Sequence, residues 1–250
     1  MSPDAAEIPR GETTQPGGIR PGRRAQRRAA VEGEILRVAR EHLATDGAAA
    51  LSLRAVARDL GMVSSGIYRY VESRDELLTR LIVDAYTSLA DRVRAEHARV
   101  DSTDLGGRWD AVGNALRGWA LEHPHDFALI YGSPVPDYEA PAERTTEAGT
   151  AVQALLIQLL ADAAKVGRLA RPVGAEEARR AVGGMLDDEL FTGLDIGPEA
   201  LVGGLAAWTL LLGTVTSEVF EQLGRDTLAD PDAYFAVMLG TARRLFLLPD

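Results

Sequence analysis

Apolar residues recur at three- and four-residue steps along most of the chain, and this period constrains the fold more than any other feature. In the stretch 24–46 it is carried by Val31, Ile35, Val38, Ala39, His42 and Leu43. No stretch shows the alternation of β-branched and polar residues that is typical of strands. The sequence therefore predicts an all-α protein with about nine or ten helices.

Glycine, serine and proline residues set the expected boundaries of these helices. Gly47 and Gly61 are placed to end two helices, and Ser52 and Ser73 are placed to cap the helices that follow. We predict helices at 24–46, 53–60, 64–70, 74–98, 105–122, 124–132, 144–168, 175–192, 198–223 and 232–247.

The predicted helices fall into two domains behind a tail. Residues 1–19 are rich in Pro, Gly, Thr and Glu and offer little to bury, which predicts a disordered tail. We expect a small N-terminal helical domain at 20–75, a linking helix at 74–98 and a larger helical domain at 99–250.

Charge is distributed unevenly between these domains. The whole chain has a net charge of −10, but residues 20–80 carry 12 Arg against 8 acidic residues, whereas residues 81–250 carry 14 basic and 26 acidic residues. A basic segment on an acidic body is typical of a protein that meets a polyanion at one end. The alternative is a basic helix that is simply solvated.

Residue types that several functions require are missing or badly spaced. The chain has no cysteine, which excludes disulfides and thiolate sites and agrees with a cytoplasmic location. There is no nucleophile motif or Gly-rich phosphate loop, so we expect no enzyme and no cofactor. His123 and His125 point to different sides of a helix, and 187–189 is expected to be a solvated acidic face, so we predict no metal site.

Two short predicted helices, separated by a turn at Gly61, have the spacing of a helix-turn-helix motif. Ala57 allows the second helix to cross closely, and Ile67 and Tyr70 can pack back on the first helix. This leaves one side of the second helix free to enter a major groove. The residues expected on that side are Ser64, Ser65, Gly66, Tyr68 and Arg69.

These residue types suit contact with DNA. Serine hydroxyls and free helix N-terminal amides bind phosphate oxygens, and arginine binds guanine edges or phosphates. The arginine-rich stretch 20–28 can add phosphate contacts or enter a minor groove.

The region 27–80 resembles the DNA-binding domain of the tetracycline-repressor (TetR) family. The matching residues are Ser52, Val56-Ala57, Gly61, Ile67-Tyr68-Arg69-Tyr70 and Ser73-Arg74-Asp75-Glu76-Leu77. Tyr70 stands where the family usually has Phe, and Arg74 stands where it usually has Lys. The family often has Ser or Thr at the position of Val63, so the second helix is capped either there or by Ser64. The residues that we expect to contact DNA are Arg24, Arg28, Ser52, Arg54, Ser64, Ser65, Gly66, Tyr68, Arg69 and Arg74.

The larger domain resembles one subgroup of that family, through Trp119, the His123-Pro124 junction, and the loop Gly132-Ser-Pro-Val-Pro136. The resemblance implies a small-molecule site in this domain. Aromatic anchors with a few polar tips suit such a pocket. The candidates are Trp119, Phe127, Tyr131, Tyr138 and Met185, each of which is alternatively an ordinary core residue.

The stretch 200–217 has no charged residue, which approaches the composition of a membrane span. Its acidic flanks and its glycines favour instead a helix that is buried on most sides. The resemblance implies that the last helices form a four-helix bundle between two copies of the chain. The expected interface residues are Gly183, Leu201, Leu205, Trp208, Leu212 and Val219.

The resemblance, together with the basic N-terminal domain, predicts a ligand-responsive transcription regulator. Its partners would be a palindromic double-stranded DNA operator, a second copy of the chain and an unknown small-molecule effector, with no membrane. Repression is the usual mode in the family. The alternatives are an all-helical enzyme and an adaptor that binds only protein.

Overall fold

The computed structural model describes residues 22–188 and 191–249, and within them the chain forms eleven α-helices. The predicted tail 1–19, Arg20 and Glu189 lie outside the described residues. The helices are α1 (Arg23–Asp46), α2 (Leu53–Asp59), α3 (Ser64–Ile67), α4 (Arg74–His97), α5 (Leu105–Glu122), α6 (Pro124–Tyr131), α7 (Ala142–Gly149), α8 (Ala151–Lys165), α9 (Ala175–Val182), α10 (Pro198–Val219) and α11 (Pro231–Arg244). The one β-type pairing among the described residues is an isolated bridge between Leu169 and Leu247.

Several predicted helices differ in length or continuity from the observed ones. Those predicted at 198–223 and 232–247 end early, at Val219 and Arg244. The stretch 144–168 is interrupted between Gly149 and Ala151, and the stretch 175–192 ends as an α-helix at Val182. A 3-10 turn continues from Gly183 to Asp187. Glycine has a low helix propensity, which accounts for a break near Gly149 and at Gly183-Gly184. The helix predicted at 64–70 ends at Ile67, followed by turn residues.

The caps at the start of α2, α3 and α4 differ from one another. The Ser73 hydroxyl accepts a hydrogen bond from the Glu76 amide at 3.0 Å and therefore caps α4 as predicted. Ser52 occupies the N-cap position of α2, but its side chain accepts no capping hydrogen bond. Val63 occupies that position for α3, so of the two alternatives the N-cap lies at Val63 and not at Ser64.

Two clusters of buried apolar side chains share the linking helix α4, one along its first half and the other along its second half. Ile35, Val56 and Ile67 belong to the N-terminal cluster, whereas Trp109 and Leu159 belong to the larger one. Helix α4 supplies Leu77, Leu78 and Leu81 to the first cluster and Leu89 and Val93 to the second. Because one continuous helix is buried in both clusters, a displacement of α4 must affect both.

Helix α10 lies in the middle of the larger domain and packs against α5, α8, α9 and α11. A Cβ atom on Gly203 would overlap the backbone carbonyl of Leu245, and one on Gly204 would press on Leu160. These two glycines therefore permit close packing of α10. Gly183 and Gly184 have no comparably close neighbour. Among the described helices, α10 alone is long and apolar enough to match a membrane span by length and composition.

Candidate functional site

A tight turn between α2 and α3 sets the position of the exposed side of α3. Gly61 has a φ of +64°, a left-handed conformation that glycine adopts without a steric penalty. The Met62 amide donates to the Ala57 carbonyl at 2.8 Å, and the Gly61 amide donates to the Arg58 carbonyl at 3.0 Å. Ala57 is fully buried, as the close crossing of the two helices requires.

Side chains on and after α3 divide into a buried set and an exposed set. Ile67 is fully buried, whereas Ser64 and Ser65 are exposed. The Tyr68 ring is 46% exposed, and Arg69 is exposed with no ion pair or hydrogen bond from its side chain to any described residue. A hydroxyl pair, an aromatic ring and an unpaired cation are thus presented together.

Gly66 departs from the expectation that it lies on the exposed side. It is buried, and a Cβ atom there would lie 3.3 Å from the Val63 side chain and 3.8 Å from Met62. Because the side chains of Met62 and Val63 fold over this position, Gly66 offers little surface to a ligand.

The first turns of α1 carry exposed arginines. Residues 22–30 are all exposed, and Arg23, Arg24 and Arg27 have no side-chain partner among the described residues. The first turn of α1 contains no acidic residue. Several cations near a helix N-terminus oppose the helix dipole, so a bound polyanion would stabilise this segment.

Arg28 belongs to the same segment but is held within the domain. Its Nε donates to Glu32 at 2.9 Å, and its guanidinium lies 5.7 Å from the centre of the Tyr70 ring. Tyr70 is half-buried against the N-terminal cluster, consistent with its predicted packing role.

Arg54 and Arg74 occupy different environments. Arg54 is exposed near the start of α2, and its side chain makes no hydrogen bond or ion pair with another described residue. The Arg74 guanidinium instead donates to the carbonyls of Ala48 and Ala49 at 3.0 and 3.3 Å. These bonds join the start of α4 to the segment that precedes α2.

A cavity of about 480 Å³ lies in the larger domain between α5, α8, α10 and the segment that follows α9. Its walls are mostly apolar and include Trp109, Leu160, Leu205, Trp208 and Phe246. Of the five pocket residues predicted from sequence, Met185 lines this cavity and the other four do not.

Trp119 and Phe127 are buried core residues and do not line this cavity. The Trp119 indole donates to the Ser88 hydroxyl at 3.0 Å, and the Phe127 ring is fully buried. Aromatic residues at helical spacing occur both in a packed core and in a cavity wall. The sequence alone therefore does not distinguish the two positions.

Tyr131 and Tyr138 also lie outside the cavity of about 480 Å³. Burial raises the pKa of Tyr131, whose ring lies 6.4 Å from that of the wall residue Trp208. The Tyr138 hydroxyl is 2.9 Å from the Thr79 hydroxyl, and its ring packs on the N-terminal cluster. Tyr138 therefore ties the loop after α6 to the linking helix.

Three of the residues predicted for a subunit interface face inward. Leu201, Leu205 and Trp208 line the cavity, and Leu201 is buried within the chain. Leu212 and Val219 are half-buried against the same core, and Gly183 is half-buried at the end of α9. Every side of α10 is apolar, so its sequence did not distinguish inward from outward positions.

Most of the cavity wall was not predicted from the sequence, including Trp109, Gln153 and Phe246. Of these residues, Gln153 has a sequence pattern from which its position could have been predicted. It precedes Ile157 and Leu160 by four and seven residues, so a polar side chain shares one face of α8 with apolar ones. That pattern is typical of a polar group placed in a mostly apolar pocket.

Charged side chains connect the two domains along α4. The Arg40 guanidinium in α1 contacts Asp84 in α4 and lies 3.5 Å from Asp126 in α6. Glu76 in α4 pairs with Arg144 in α7, whose hydrogen bonds hold the pKa of Glu76 below its usual range.

The residues considered for metal binding are dispersed. Within 22–188 and 191–249, no group of three or more His, Asp or Glu side chains lies close enough to hold a metal ion. His123, His125, Asp187 and Asp188 are all exposed.

Two family models match the chain, one before residue 82 and one after residue 108. Residues 35–81 match the model described as bacterial regulatory proteins of the tetR family. Residues 109–242 match the model described as the C-terminal domain of tetracyclin repressor-like proteins.

Individual proteins show the same likeness over most of the chain. A helix-turn-helix-type transcriptional regulator from Mycobacterium tuberculosis is 40% identical over 229 residues, which cover 86% of this chain and 92% of that protein. The crystal structure of a regulatory protein, 34% identical, superposes with a TM-score of 0.72 and covers 88% of this chain and 98% of its own. A TetR-family regulator from Marinobacter aquaeolei, 16% identical, shares the fold with a TM-score of 0.61, covering 90% and 100% of the two chains.

Proposed function

The chain belongs to the TetR family of bacterial transcription regulators, and from that premise we propose that it is a repressor that binds a palindromic operator as a homodimer and is released by a small molecule. The helix-turn-helix identifies DNA as the partner of the N-terminal domain. The family consists of regulators rather than enzymes. Operator DNA lies in the cytoplasm of a bacterium, so we assign the protein to that compartment and give it no membrane role.

The single observation that carries the DNA-binding assignment is the exposed group beside α3. The Arg69 side chain is exposed and has no hydrogen-bond or ion-pair partner in the described part of the chain, and it lies next to a half-exposed Tyr68 ring. An unpaired arginine can donate two hydrogen bonds to one guanine edge, and a tyrosine ring can contact a thymine methyl or a sugar. We therefore assign base reading to these two side chains and phosphate contacts to Ser64 and Ser65.

We assign the subunit interface to the outward faces of α10 and α11. Ala206, Thr209 and Gly213 are exposed at three- and four-residue steps on α10. On α11, Ala233, Ala236 and Val237 are among the exposed residues, and Val237 is 64% exposed. Small side chains let helices from two subunits approach closely. These outward faces are exposed, whereas Leu201 and Leu205 face the cavity. A two-fold axis there would make the operator a near-palindrome with half-sites one helical turn apart.

We assign the effector to the cavity of about 480 Å³, which is within the size range of small-molecule sites. Trp109 in its wall directly follows Arg108, whose side chain bonds His97 at the end of α4. A ligand that displaces α5 would thus move the linking helix and change the spacing of the two recognition helices. The loss of DNA affinity equals the difference in ligand affinity between the two arrangements.

The test of this proposal is selection from a genomic DNA pool by the wild type and by a Tyr68→Ala/Arg69→Ala variant. We expect the wild type to enrich one short palindrome and the variant to enrich none, because base contacts are lost while the fold is kept. The matched control is Arg179→Ala/Arg180→Ala, which removes two exposed arginines from α9 in the other domain. Equal enrichment by the wild type and the Tyr68/Arg69 variant would contradict the proposal.

A further inference from the structure

The cavity between α5, α8 and α10 contains very few polar groups, and their chemistry restricts what it can bind. We propose that it takes an apolar molecule with a neutral or cationic hydrogen-bonding head, such as an alcohol or an amine, and rejects carboxylates and other anions. The inference rests on the proposed function only in calling that molecule the effector.

The walls of the cavity offer a mostly apolar surface to a ligand. Trp109, Trp208 and Phe246 supply aromatic surface, and the Trp109 and Phe246 rings pack 5.1 Å apart at a steep angle. The Trp109 indole N–H is already used, since it donates to the Leu239 carbonyl at 3.1 Å. The Trp109 indole therefore presents apolar surface to a ligand, and burial of apolar area supplies most of the affinity.

Gln153 supplies the polar contact. Its side chain lines the cavity, and its Oε1 is buried without a hydrogen-bond partner among the described residues. Buried amide oxygens in native proteins are nearly always paired, so this one is suited to receive a donor. Rotation of the terminal amide also lets Gln153 donate, so a hydroxyl, which both donates and accepts, matches it best.

Charge decides which head group is accepted. Asp188 is the other polar residue of the described wall, and no Lys, Arg or His side chain belongs to that wall. A carboxylate would enter an apolar space with no cation to pair with and an aspartate nearby, which is costly. An ammonium group would be favoured by that same aspartate.

The test uses 1-octanol, octylamine and octanoate, which share one alkyl chain and differ in the head group. Binding to the full-length protein is measured by isothermal titration calorimetry at pH 7.5 and by the fluorescence of Trp109 and Trp208. We expect 1-octanol and octylamine to bind and octanoate to bind at least roughly tenfold more weakly. Octanoate binding as tightly as 1-octanol, or binding by none of the three, would overturn the inference.

Two variants locate the effect at the named side chains. Gln153→Leu is expected to weaken 1-octanol several-fold, and Asp188→Asn to weaken octylamine while leaving 1-octanol unchanged. The matched controls are Gln158→Leu on the exposed side of α8 and Asp187→Asn beside the wall, neither of which lines the cavity. Wild-type affinities in Gln153→Leu and Asp188→Asn would refute the assignment.

Binding of DNA is measured separately and without these compounds. If the protein fails to select DNA but prefers 1-octanol to octanoate, the repressor proposal fails while the selectivity of the cavity stands. If it selects a palindrome and octanoate binds as well as 1-octanol, the repressor proposal stands and the inference about the ligand fails.

Discussion

Arg108 donates a hydrogen bond from its Nε to Nε2 of His97 across 3.1 Å, and this bond joins α5 to the end of the linking helix. The Arg108 side chain is almost completely buried, and it also bonds Asp162 Oδ2 and the Ser102 carbonyl, each at 3.0 Å. Since Asp162 belongs to α8, three helices meet at one guanidinium. This cluster lies at the opposite end of α4 from the DNA-binding domain.

Replacing Arg108 with Met is expected to lower the free energy of unfolding by about 2–3 kcal/mol, because it removes one partner of a largely buried ion pair. Lys165 and Gln158 still contact Asp162, which limits the loss. Urea denaturation at a fixed protomer concentration measures it. The control is Arg92→Met, whose pair with Glu122 is exposed, with an expected change below about 0.5 kcal/mol. Equal effects of the two substitutions would contradict this account.

The pKa of His97 predicts a loss of stability in mild acid. Burial, and then the positive charge of Arg108, lower this pKa from the ordinary value of 6.5, and Asp162 opposes the shift. Below pH 6.5 the unfolded chain therefore binds a proton that the folded chain resists. The contribution of His97 to stability is present above that pH and is lost as the pH falls through the lowered pKa.

The thermal unfolding midpoint between pH 7.5 and 5.5 tests this prediction. His97→Gln cannot titrate and is expected to show a smaller drop over that range than the wild type. The control His125→Gln alters an exposed histidine and should keep the wild-type drop. The prediction is wrong if His97→Gln and the wild type lose stability equally.

The arginines of the first turns of α1 are expected to contact phosphates. In the variant Arg23→Gln/Arg24→Gln/Arg27→Gln, the slope of log K against log salt concentration should decrease by about 0.9 for each lost phosphate contact. Fluorescence anisotropy with duplex DNA over a salt series measures the slope. Arg179→Gln/Arg180→Gln serves as the control in the other domain, and an unchanged slope in the α1 variant would exclude phosphate contacts by these residues.

A charge on the outward face of α10 is expected to separate the subunits. Thr209→Arg places a guanidinium in the proposed interface, where it would be desolvated without a partner. Sedimentation velocity should show a monomer for this variant and a dimer for the wild type. Thr87→Arg, an equally exposed threonine on α4, is the control and should remain dimeric. A dimeric Thr209→Arg protein would place the interface elsewhere.

Close packing at Gly203 predicts that even one methyl group is destabilising there. Gly203→Ala would overlap the Leu245 carbonyl and should cost about 1–3 kcal/mol, because backbone on both sides must shift. Gly33→Ala, with nothing within 4 Å, should instead raise stability by about 0.5–1 kcal/mol by stiffening α1. Chemical denaturation of both variants measures the difference, and a stabilised Gly203→Ala protein would be inconsistent with the packing.

The amino-acid sequence alone determined the helical class and the place of the helix-turn-helix. Both depend on local patterns: the three- and four-residue period, the left-handed turn that Gly61 permits, and the cap that Ser73 provides. Residues near each other in sequence create these signals, so no knowledge of distant neighbours was needed.

Only the tertiary structure decided which side chains line the cavity and which face of α10 remains free. Trp109 and Trp119 both occupy buried positions on α5, yet Trp109 reaches the cavity and Trp119 packs in the core. Leu205 and Ala206 are adjacent in sequence, yet one faces the cavity and the other faces outward. An apolar side chain gains free energy from burial against any apolar neighbour, so its identity does not specify which neighbour it has. The packing of α5, α8 and α11 around α10 supplies that information.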